Sequence, residues 1–403
     1  MADNLPNATS HGRDIRPAKA KKSLLLKRKK ASVRRVKSGI DWPFAILILI
    51  LLAIGTVFVF SSSYIYAKHN YDDSYFFIHK QMFWVVVAIF VLYVMTNFDY
   101  LVLKRMAPMI AAIAYGLLWC VFFFGADANG AKRWIYFGSF SVQPSEIVKF
   151  AVILLTASYI VWLETKGRDL IRTVKYGITP FVILVMLIGI PLYKQPHLSA
   201  MIIIFALIFA LMYLGGVRKS FLLGTLGVGA AAMLFLILFT SHGQSRIDNW
   251  LHPELDPLGA GWQPLQSLYA IGSGGLWGVG LGQSKQKHLY LPEPQNDYIF
   301  AVLCEEMGFV FAVAVIILFL LLIWRGFHIA KNAPSKFSSL LVMGIIIQIG
   351  IQVFLNIGVV SGALPSTGVS LPFFSYGGSS LIIFMAEMGV VLNISKYSYT
   401  EKT

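Results

Sequence analysis

One carboxylate in this sequence is well placed for acid–base chemistry. Asp297 ends a long polar segment and stands just before an apolar run that begins near residue 299. A carboxylate at such a boundary can meet a substrate from water, while partial burial raises its pKa toward the working range of a general base. Asp is also a favoured residue at the N-cap of a helix. The residue alone therefore leaves two roles open, general base and helix cap.

Further ionisable residues lie inside apolar runs, where a charge is costly and usually functional. Glu146 and Lys149 are three residues apart, a spacing that puts both on one helix face and allows an ion pair. That pair could serve function or only packing. Glu305 and Glu306 are adjacent, so one can face a cavity while the other bonds a neighbouring helix. Glu387 has no evident partner in the sequence.

Candidate anion-binding groups lie in the polar segments. The glycine-rich series 272–282 lacks the Gly-Lys-Ser/Thr ending of a nucleotide-binding loop. Its backbone amides could still hold a pyrophosphate, with Lys285 and Lys287 following as point charges. Arg133 is another cation in a polar segment, with an interfacial anchor as the alternative role.

The composition places most of the chain in a membrane. Of 403 residues, 57% are hydrophobic and only 13% are charged, which excludes an ordinary soluble domain. Ten apolar runs approach the roughly 20 residues that a spanning helix needs. We predict an all-α integral membrane protein with ten transmembrane helices and a large external loop, 241–298, between helices 7 and 8. The runs start near residues 43, 82, 106, 146, 176, 198, 221, 299, 338 and 378.

Basic residues set the predicted orientation. With ten spans, 25 Lys and Arg fall in loops on one side and 8 on the other, with Lys149 inside a span. The positive-inside rule then predicts that both termini are cytoplasmic. Residues 1–41 are expected to form a disordered basic tail near anionic lipids, 42–396 the membrane domain and 397–403 a short cytoplasmic tail. Because the basic cluster adjoins the first span, it argues against nucleic-acid binding.

Two polar segments carry structural predictions. Aromatic residues are spread through 241–298, which favours folding back onto the membrane surface, with a short interfacial helix at 263–271. The Pro/Gly-rich stretch 362–378 is predicted to line a cavity, because non-helical backbone at membrane depth needs protein or water around it. Cys120 and Cys304 are far apart and suggest neither a disulfide nor a metal site.

Motifs along the chain, taken together in their order, resemble the SEDS family of bacterial shape, elongation, division and sporulation proteins, which includes FtsW, RodA and SpoVE. The resemblance runs from about residue 42 to 395 and is greatest to FtsW or SpoVE. Each motif is weak alone, whereas their fixed order is specific. They lie at residues 130–135, 143–149, 261–282, 286–287, 291–297, 305–308 and 364–380.

The resemblance implies a peptidoglycan glycosyltransferase that polymerises lipid II at the outer face of the bacterial cytoplasmic membrane, during division, elongation or sporulation. It implies that Asp297 matches the family's essential carboxylate and acts as general base. His197 stands where the family often has Asp, so no carboxylate role carries over there. The remaining candidate residues, which all lie in these motifs except Lys285, are expected to bind substrate or pyrophosphate: Arg133, Lys149, Gln266, Ser267, Lys285, Lys287, Glu305, Glu306, Ser375 and Tyr376.

The resemblance also implies partners, namely lipid II, the growing glycan strand and a class B penicillin-binding protein. A divalent cation, Mg²⁺ or Mn²⁺, could assist, although no clustered ligand motif identifies a metal site, and no organic cofactor is expected. Two alternatives remain: a lipid II flippase or transporter, and a noncatalytic scaffold for a cell-wall synthase. A transporter would ordinarily show paired broken helices, and the sequence reveals no such pair.

Overall fold

The computed structural model describes residues 35–37, 39–128, 131–137, 140–167, 169–259, 261–397 and 399–401. Most of the predicted N-terminal tail, residues 1–34, lies outside the described residues, as does Gly130 of the first motif. The described chain is mainly helical. Its helices are α1 (Trp42–Tyr71), α2 (Phe76–Asn97), α3 (Tyr100–Phe124), α4 (Pro144–Lys166), α5 (Val174–Gly177), α6 (Thr179–Lys194), α7 (Leu198–Gly215), α8 (Lys219–Phe239), α9 (Ser241–Leu251), α10 (Trp262–Gly274), α11 (Ile299–Lys331), α12 (Lys336–Val360) and α13 (Gly378–Lys396).

Each of the ten predicted apolar runs coincides with a helix. The starts differ most for α2 and α3, which begin at Phe76 and Tyr100 instead of residues 82 and 106. Among the described residues, nine helices are long and apolar enough to cross a membrane, with α5 and α6 counted together. The tenth run corresponds to α8, where Lys219–Ala232 is a shorter apolar helix. The predicted helical fold is confirmed, and the count of ten spans stays a prediction.

Both ends of the membrane domain meet at one end of the bundle. The Asp41 carboxylate caps α1 by accepting from the Phe44 N–H at 3.1 Å, and it pairs with the Arg325 guanidinium at 3.0 Å. The Asp41 N–H donates to the Ser395 hydroxyl at 3.1 Å. Next to this junction, β1 (Arg35–Lys37) pairs antiparallel with β5 (Tyr399–Glu401). A chain whose two ends lie on the same side of a membrane crosses it an even number of times. The nine long apolar helices give an odd number, so this contact favours a tenth crossing by α8.

The polar segment after α3 forms a small antiparallel sheet that was not predicted from the sequence. Its strands are β2 (Gly125–Ala128), β3 (Ala131–Phe137) and β4 (Phe140–Val142), with β3 in the centre. Between β2 and β3 the register shifts, so that Trp134 faces Ala126 while Lys132 faces Asp127. Arg133 is therefore the extra residue of a β-bulge, a device that re-aims a side chain.

The helix predicted at 263–271 is present as α10, which packs against α11 and α12, and its position at the membrane interface stays a prediction. The glycine series after it is inserted into a break in α11. Gly308 has φ 75° and ψ 179°, a conformation that interrupts the helix. A Cβ added to Gly278 would lie 2.2 Å from the Glu306 carbonyl oxygen, so only glycine fits there.

Backbone hydrogen bonds join this inserted segment to both halves of α11. The Val279 and Gly280 N–H groups donate to the carbonyls of Glu305 and Glu306 at 3.0 and 2.9 Å. Such pairing satisfies the backbone groups that a broken helix would otherwise leave unpaired at membrane depth. The prediction that amides of the glycine series hold a pyrophosphate is wrong for these two groups, because protein carbonyls occupy them.

Candidate active site

A cavity of about 490 Å³ lies where several parts of the chain meet. Most of its lining comes from the sheet around β3, the start of α4, the start of α7, the end of the 241–298 loop, and the non-helical segment before α13 together with the start of that helix, while α2 and α10 contribute Trp84 and Gln263. The prediction that residues of 362–378 line a cavity is confirmed, since Gly368 to Leu371 and Ser375 to Gly378 face it. Of the predicted site residues, the cavity contains Asp297, Arg133, Lys149, Ser375 and Tyr376.

The Asp297 carboxylate faces this cavity and is not a helix cap. The N-cap of α11 is Tyr298, and no side chain makes a capping bond there. Within the described chain, no hydrogen-bond donor contacts the Asp297 carboxylate. A Cβ added to Gly368 would lie 3.3 Å from its Oδ2. The cap interpretation is therefore wrong, and the carboxylate is free to meet a substrate.

The surroundings of Asp297 adjust its acidity. Burial raises the pKa of Asp297 to about 6, the Glu293 carboxylate adds to the rise, and the Arg133 guanidinium opposes it. Burial disfavours the charged carboxylate, while a nearby cation stabilises it. At neutral pH the group is therefore mostly ionised and is a stronger base than an ordinary aspartate.

Asn356 fixes the backbone on both sides of the cavity. From α12, its Nδ2 donates to the Asp297 carbonyl at 2.7 Å and to the Val369 carbonyl at 2.8 Å. The Tyr376 N–H donates to the Gln295 carbonyl at 2.9 Å, which makes a second link between the same two segments. These bonds hold Asp297 at a fixed position opposite the non-helical segment that precedes α13.

Replacing Asn356 with Asp should misplace the Asp297 loop. An ionised carboxylate cannot donate to either carbonyl and repels both, so we expect kcat to fall by about 10- to 100-fold, the scale of a small misplacement. The measurement is the rate, per folded molecule, of the glycosyl transfer that the family resemblance implies. Asn393→Asp is the matched control, since Asn393 donates to the Thr96 carbonyl at 2.9 Å near the far end of α13. An equal loss in both variants would contradict a positioning role.

Arg133 reaches the cavity from the bulge in β3. Its Nη2 donates to the Pro196 carbonyl at 2.6 Å and its Nε to the Gln195 carbonyl at 3.4 Å. Burial lowers the pKa of Arg133, and the charge of Arg246 lowers it further, yet the guanidinium stays charged at neutral pH. Two of its five N–H groups are used by these carbonyls, and no other partner lies within the described residues, so the remaining groups can bind an anion.

Glu146 and Lys149 form the predicted ion pair and also line the cavity. The Lys149 Nζ lies 2.7 Å from Glu146 Oε1, and both side chains are buried. Pro144 begins α4, where its fixed φ suits the first helical turn and sets the direction of the helix. The prediction of an ion pair is confirmed, and its position adds a cation to the wall facing Asp297.

Ser375 and Tyr376 lie in the wall before α13. The Leu371 N–H donates to the Ser375 hydroxyl at 2.8 Å, and the Tyr376 ring packs edge-on against Phe77 with centroids 5.0 Å apart. Both side chains shape the cavity and leave polar atoms near it. Their predicted contact with substrate stays a prediction.

The structure places Lys287 and Glu306 away from the cavity. The Lys287 Nζ lies 2.7 Å from Glu306 Oε1, and neither side chain has any exposed surface. The Ser61 hydroxyl of α1 donates to Glu306 Oε2 at 2.6 Å. The structure contradicts a direct contact of Lys287 with pyrophosphate. Its ammonium group is paired with Glu306 in the protein interior, and this pair connects the loop to α11 and α1.

Glu305 fastens the same loop. Its carboxylate accepts from the Lys285 N–H at 2.9 Å and the Gln286 N–H at 3.3 Å. The Lys285 side chain is exposed and lies outside the cavity lining. Gln266 and Ser267 are buried on α10, where the Ser267 hydroxyl donates to the Val360 carbonyl at 2.7 Å. The predicted binding roles of Glu305, Glu306, Lys285, Gln266 and Ser267 are thus not supported by their positions.

Glu387, for which the sequence offered no partner, accepts from Gln348 Nε2 at 3.0 and 3.1 Å, deep between α12 and α13. Cys120 and Cys304 are free thiols, as predicted. Over the residues that the structure describes, no group of three or more His, Cys, Asp or Glu side chains could hold a metal ion. Assistance by Mg²⁺ or Mn²⁺ therefore stays a prediction.

Three residues near the cavity were not predicted as site residues. Asn356 was hidden in an apolar helix, and Arg246 in a long polar loop. His197 was noted only as a departure from the family pattern, yet it is buried in the cavity wall. A polar side chain inside an apolar run was the available signal for Asn356, and none distinguished Arg246 from other loop cations.

Comparison with known proteins identifies similar chains over almost the whole length. The family described as "Cell cycle protein", FtsW/RodA/SpoVE, matches residues 42–400. Stage V sporulation protein E of Bacillus subtilis (strain 168) is 39% identical over 364 residues, which cover 90% of this chain and 98% of that protein. "Probable peptidoglycan glycosyltransferase FtsW" of Trichlorobacter lovleyi is 35% identical over 357 residues, covering 88% and 93%.

Solved structures give the same result. The rod shape determining protein RodA of Thermus thermophilus superposes with a TM-score of 0.67 at 26% identity, covering 90% of this chain and 98% of that one. A chain of a peptidoglycan synthase complex that coordinates polymerization and crosslinking superposes with a TM-score of 0.73 at 25% identity, covering 88% and 97%.

Proposed function

The chain belongs to the FtsW, RodA and SpoVE family of cell cycle proteins, and from this premise we propose how the cavity around Asp297 works. The chain is a multi-pass membrane protein and a peptidoglycan glycosyltransferase that acts in cell-wall synthesis. We propose that its substrate is lipid II and that the cavity opens at the outer face of the bacterial cytoplasmic membrane.

In the proposed reaction, the Asp297 carboxylate takes the proton from the 4-hydroxyl of the acceptor's N-acetylglucosamine. The resulting oxygen forms a bond to the anomeric carbon of the other glycan. The bond from that carbon to undecaprenyl pyrophosphate breaks, and the pyrophosphate leaves with the electron pair. The observation that carries this proposal is the Asp297 carboxylate, which faces the cavity without a hydrogen-bond donor in the described chain.

The leaving pyrophosphate requires positive charge, because negative charge develops on it as the bond breaks. Arg133 and Lys149 line the cavity that contains Asp297, and we propose that they stabilise this charge. A divalent cation could bind with the pyrophosphate oxygens, since Mg²⁺ commonly uses one or two carboxylates together with substrate phosphates. No step of the proposed reaction depends on it.

A second cavity is suited to the lipid tail. It has a volume of about 480 Å³, lies between α6, α7 and α8, and is lined almost wholly by apolar side chains. Helix α7 separates the two cavities: Ala200 and Ile203 face the polar one, while Met201 and Ile204 face the apolar one. We propose that the isoprenoid chain lies along this apolar surface while the sugars enter the polar cavity.

The pH dependence of polymerisation tests the proposed base. Asp297 must be ionised to take a proton, so kcat/KM for lipid II should fall as pH decreases through about 6, the value that burial gives this group. In Glu293→Gln the carboxylate that helps to raise the pKa of Asp297 is absent, so the midpoint should move to lower pH. The measurement is the initial rate of glycan formation by purified protein between pH 5 and 8.

Two results would argue against the base. One is activity that rises as pH falls below about 6. The other is a midpoint that Glu293→Gln leaves unchanged, since the group responsible would then lie elsewhere.

The chain is also proposed to work with a crosslinking partner, a class B penicillin-binding protein, as the similar synthase complex combines polymerization and crosslinking. The break in α11 at Gly308 bears on the transporter alternative, because transporters commonly bind substrate at broken helices. The glycine segment fills this break, and its backbone pairs with α11 on both sides of Gly308, so these backbone groups are not free to bind a substrate. Transfer of labelled lipid II across liposomes without any polymer formation would favour the transporter.

A further inference from the structure

Aromatic side chains continue from the polar cavity onto the C-terminal end of α1 and the N-terminal end of α2. Tyr376 lines the cavity, and its ring meets Phe77 edge-on with centroids 5.0 Å apart. Phe77 in turn meets Tyr71 edge-on, with centroids 5.7 Å apart. Tyr71 is the last residue of α1 and is 50% exposed. These ring contacts therefore connect the cavity wall to an open aromatic surface.

The Tyr71 ring is held in place from one side. It stacks on Phe76, with centroids 3.9 Å apart and ring planes 9° apart. The Lys80 ammonium lies 4.0 Å from the Phe76 centroid, which places it over the other face of that ring. Within the described residues, no other aromatic ring or cation contacts Tyr71. Tyr71 is therefore the outer layer of a stack of three side chains, and its second face is open.

The surroundings of Tyr71 are polar. Asp72, Asp73 and Ser74 follow it in the sequence. Lys68 and Asp72 form an ion pair at 2.7 Å, and both side chains are exposed. An aromatic residue that anchors a protein at the membrane interface places its ring among lipids. Because charged groups stay in water on both sides of Tyr71 in the sequence, its open face adjoins an aqueous region instead.

A sugar ring fits an aromatic face with polar groups around it. The ring substituents of N-acetylglucosamine point outward along its edge, so both faces of the sugar expose C–H groups. Hydrogens of this kind are attracted to the negative face of an aromatic ring. The hydroxyl and amide groups at the edge of the sugar can donate to carboxylates such as those of Asp72 and Asp73.

We propose that the open face of Tyr71, supported by Phe76, is a stacking subsite for the growing glycan strand. This inference rests on the proposed function and extends its binding surface beyond the cavity. The subsite binds a sugar of the strand that lies outside the cavity, and no bond forms or breaks there. A rigid aromatic ring gives contact area at a low cost in conformational entropy, so a strand held there stays bound between additions.

Tyr71→Ala should cause a loss that depends on the length of the strand. For a lipid-linked oligosaccharide several disaccharides long, we expect KM to rise about three- to ten-fold, the scale of one aromatic contact. For lipid II, KM should rise by less than about two-fold, because Tyr71 lies outside the cavity lining. The measurement is the initial rate of glycan formation by purified full-length protein. An unchanged KM for the long substrate would overturn the subsite.

Tyr75→Ala is the matched control. Tyr75 is 54% exposed and lies in the same connection between α1 and α2. Its ring stacks on Phe60, with centroids 5.7 Å apart, and on His79 at 5.9 Å, away from Phe77 and Tyr376. The KM for the long substrate should match that of wild type. If Tyr71→Ala and Tyr75→Ala raise it equally, a general effect of interfacial aromatic residues explains the loss and the proposal is wrong.

Two further substitutions at Tyr71 separate stacking from membrane anchoring. Tyr71→Phe keeps the aromatic face, so its KM for the long substrate should stay within about two-fold of wild type. Tyr71→Leu keeps an apolar side chain that lipid accepts but removes the aromatic face, so it should behave like Tyr71→Ala. A wild-type KM in Tyr71→Leu would assign Tyr71 to the membrane interface and overturn the proposal.

Asp297→Asn distinguishes failure of the subsite from failure of the proposed base. It should form no glycan from either substrate, yet bind the long oligosaccharide with wild-type affinity, because Tyr71 is unchanged. Normal polymerisation by Asp297→Asn would remove the base and leave the comparison of Tyr71 with Tyr75 intact. A KM in Tyr71→Ala that rises equally for lipid II and the long substrate would remove only the subsite.

Discussion

Asp297→Asn is expected to abolish glycan formation from lipid II, with kcat reduced by about 10²- to 10⁴-fold, the contribution typical of a positioned general base. The amide has almost the size of the carboxylate but cannot accept the hydroxyl proton. Because the Asp297 carboxylate receives no hydrogen bond in the described chain, its loss breaks no structural contact. Its backbone carbonyl, which Asn356 holds, is unchanged.

The experiment measures the initial rate of polymerisation by purified protein, together with its thermal stability. Glu254→Gln is the control, because Glu254 is an exposed carboxylate in the same external loop, outside the cavity. It should polymerise at the wild-type rate. Wild-type polymerisation by Asp297→Asn would exclude Asp297 as the base, and a folded but inactive variant is the expected outcome.

The helices could be predicted because the bilayer fixes their length. A spanning helix needs roughly 20 apolar residues, so runs of that length indicate helices without any knowledge of packing. The packing itself could not be predicted. Lipid and protein interior are similarly apolar, so the spanning helices lack a distinct polar face that would mark the side in contact with other helices. The distribution of basic residues among the loops predicted an even number of spans, with both ends on one side. The hydrogen bond between Asp41 and Ser395 agrees with this prediction, because it joins the two ends of the membrane domain.

The role of Asp297 could not be decided from the residues next to it in the sequence. A favoured N-cap residue just before a helix predicts a cap as readily as a base. The structure distinguishes them because α11 begins at Ile299 with Tyr298 at its N-cap, so the Asp297 side chain points into the cavity instead. A shift of one residue in the helix start was decisive, and sequence patterns do not define helix ends that closely.

The sequence also could not show which of two cations, Arg133 or Lys287, faces the cavity. Both belong to motifs of the family, and the sequence offered the same role for both. In the structure Arg133 extends from a β-bulge into the cavity, while Lys287 is paired with Glu306. A charge withdrawn from water needs an opposite charge whether that comes from substrate or from protein. Only the three-dimensional position of the partner separates the two cases.

The second large effect is expected on stability. In Lys287→Met the Glu306 carboxylate would remain in a fully buried position without its cation, which should lower the free energy of unfolding by about 3–5 kcal/mol. Met has a similar length and no charge, so the loss comes from the unpaired carboxylate and not from a cavity. Thermal unfolding in detergent, compared with wild type, measures the change.

Restoring neutrality should recover much of this loss. In the double variant Lys287→Met with Glu306→Gln no charge remains, and the Gln side chain can still accept from the Ser61 hydroxyl, which contacts Glu306 at 2.6 Å. Replacement of a buried ion pair by neutral groups is often close to neutral in stability, so the double variant should be more stable than Lys287→Met alone. A double variant no more stable than the single one would show that the pair is not what holds the loop. The KM for lipid II should stay near the wild-type value in the double variant, because Lys287 lies outside the cavity, and a large rise in KM would return Lys287 to the binding surface.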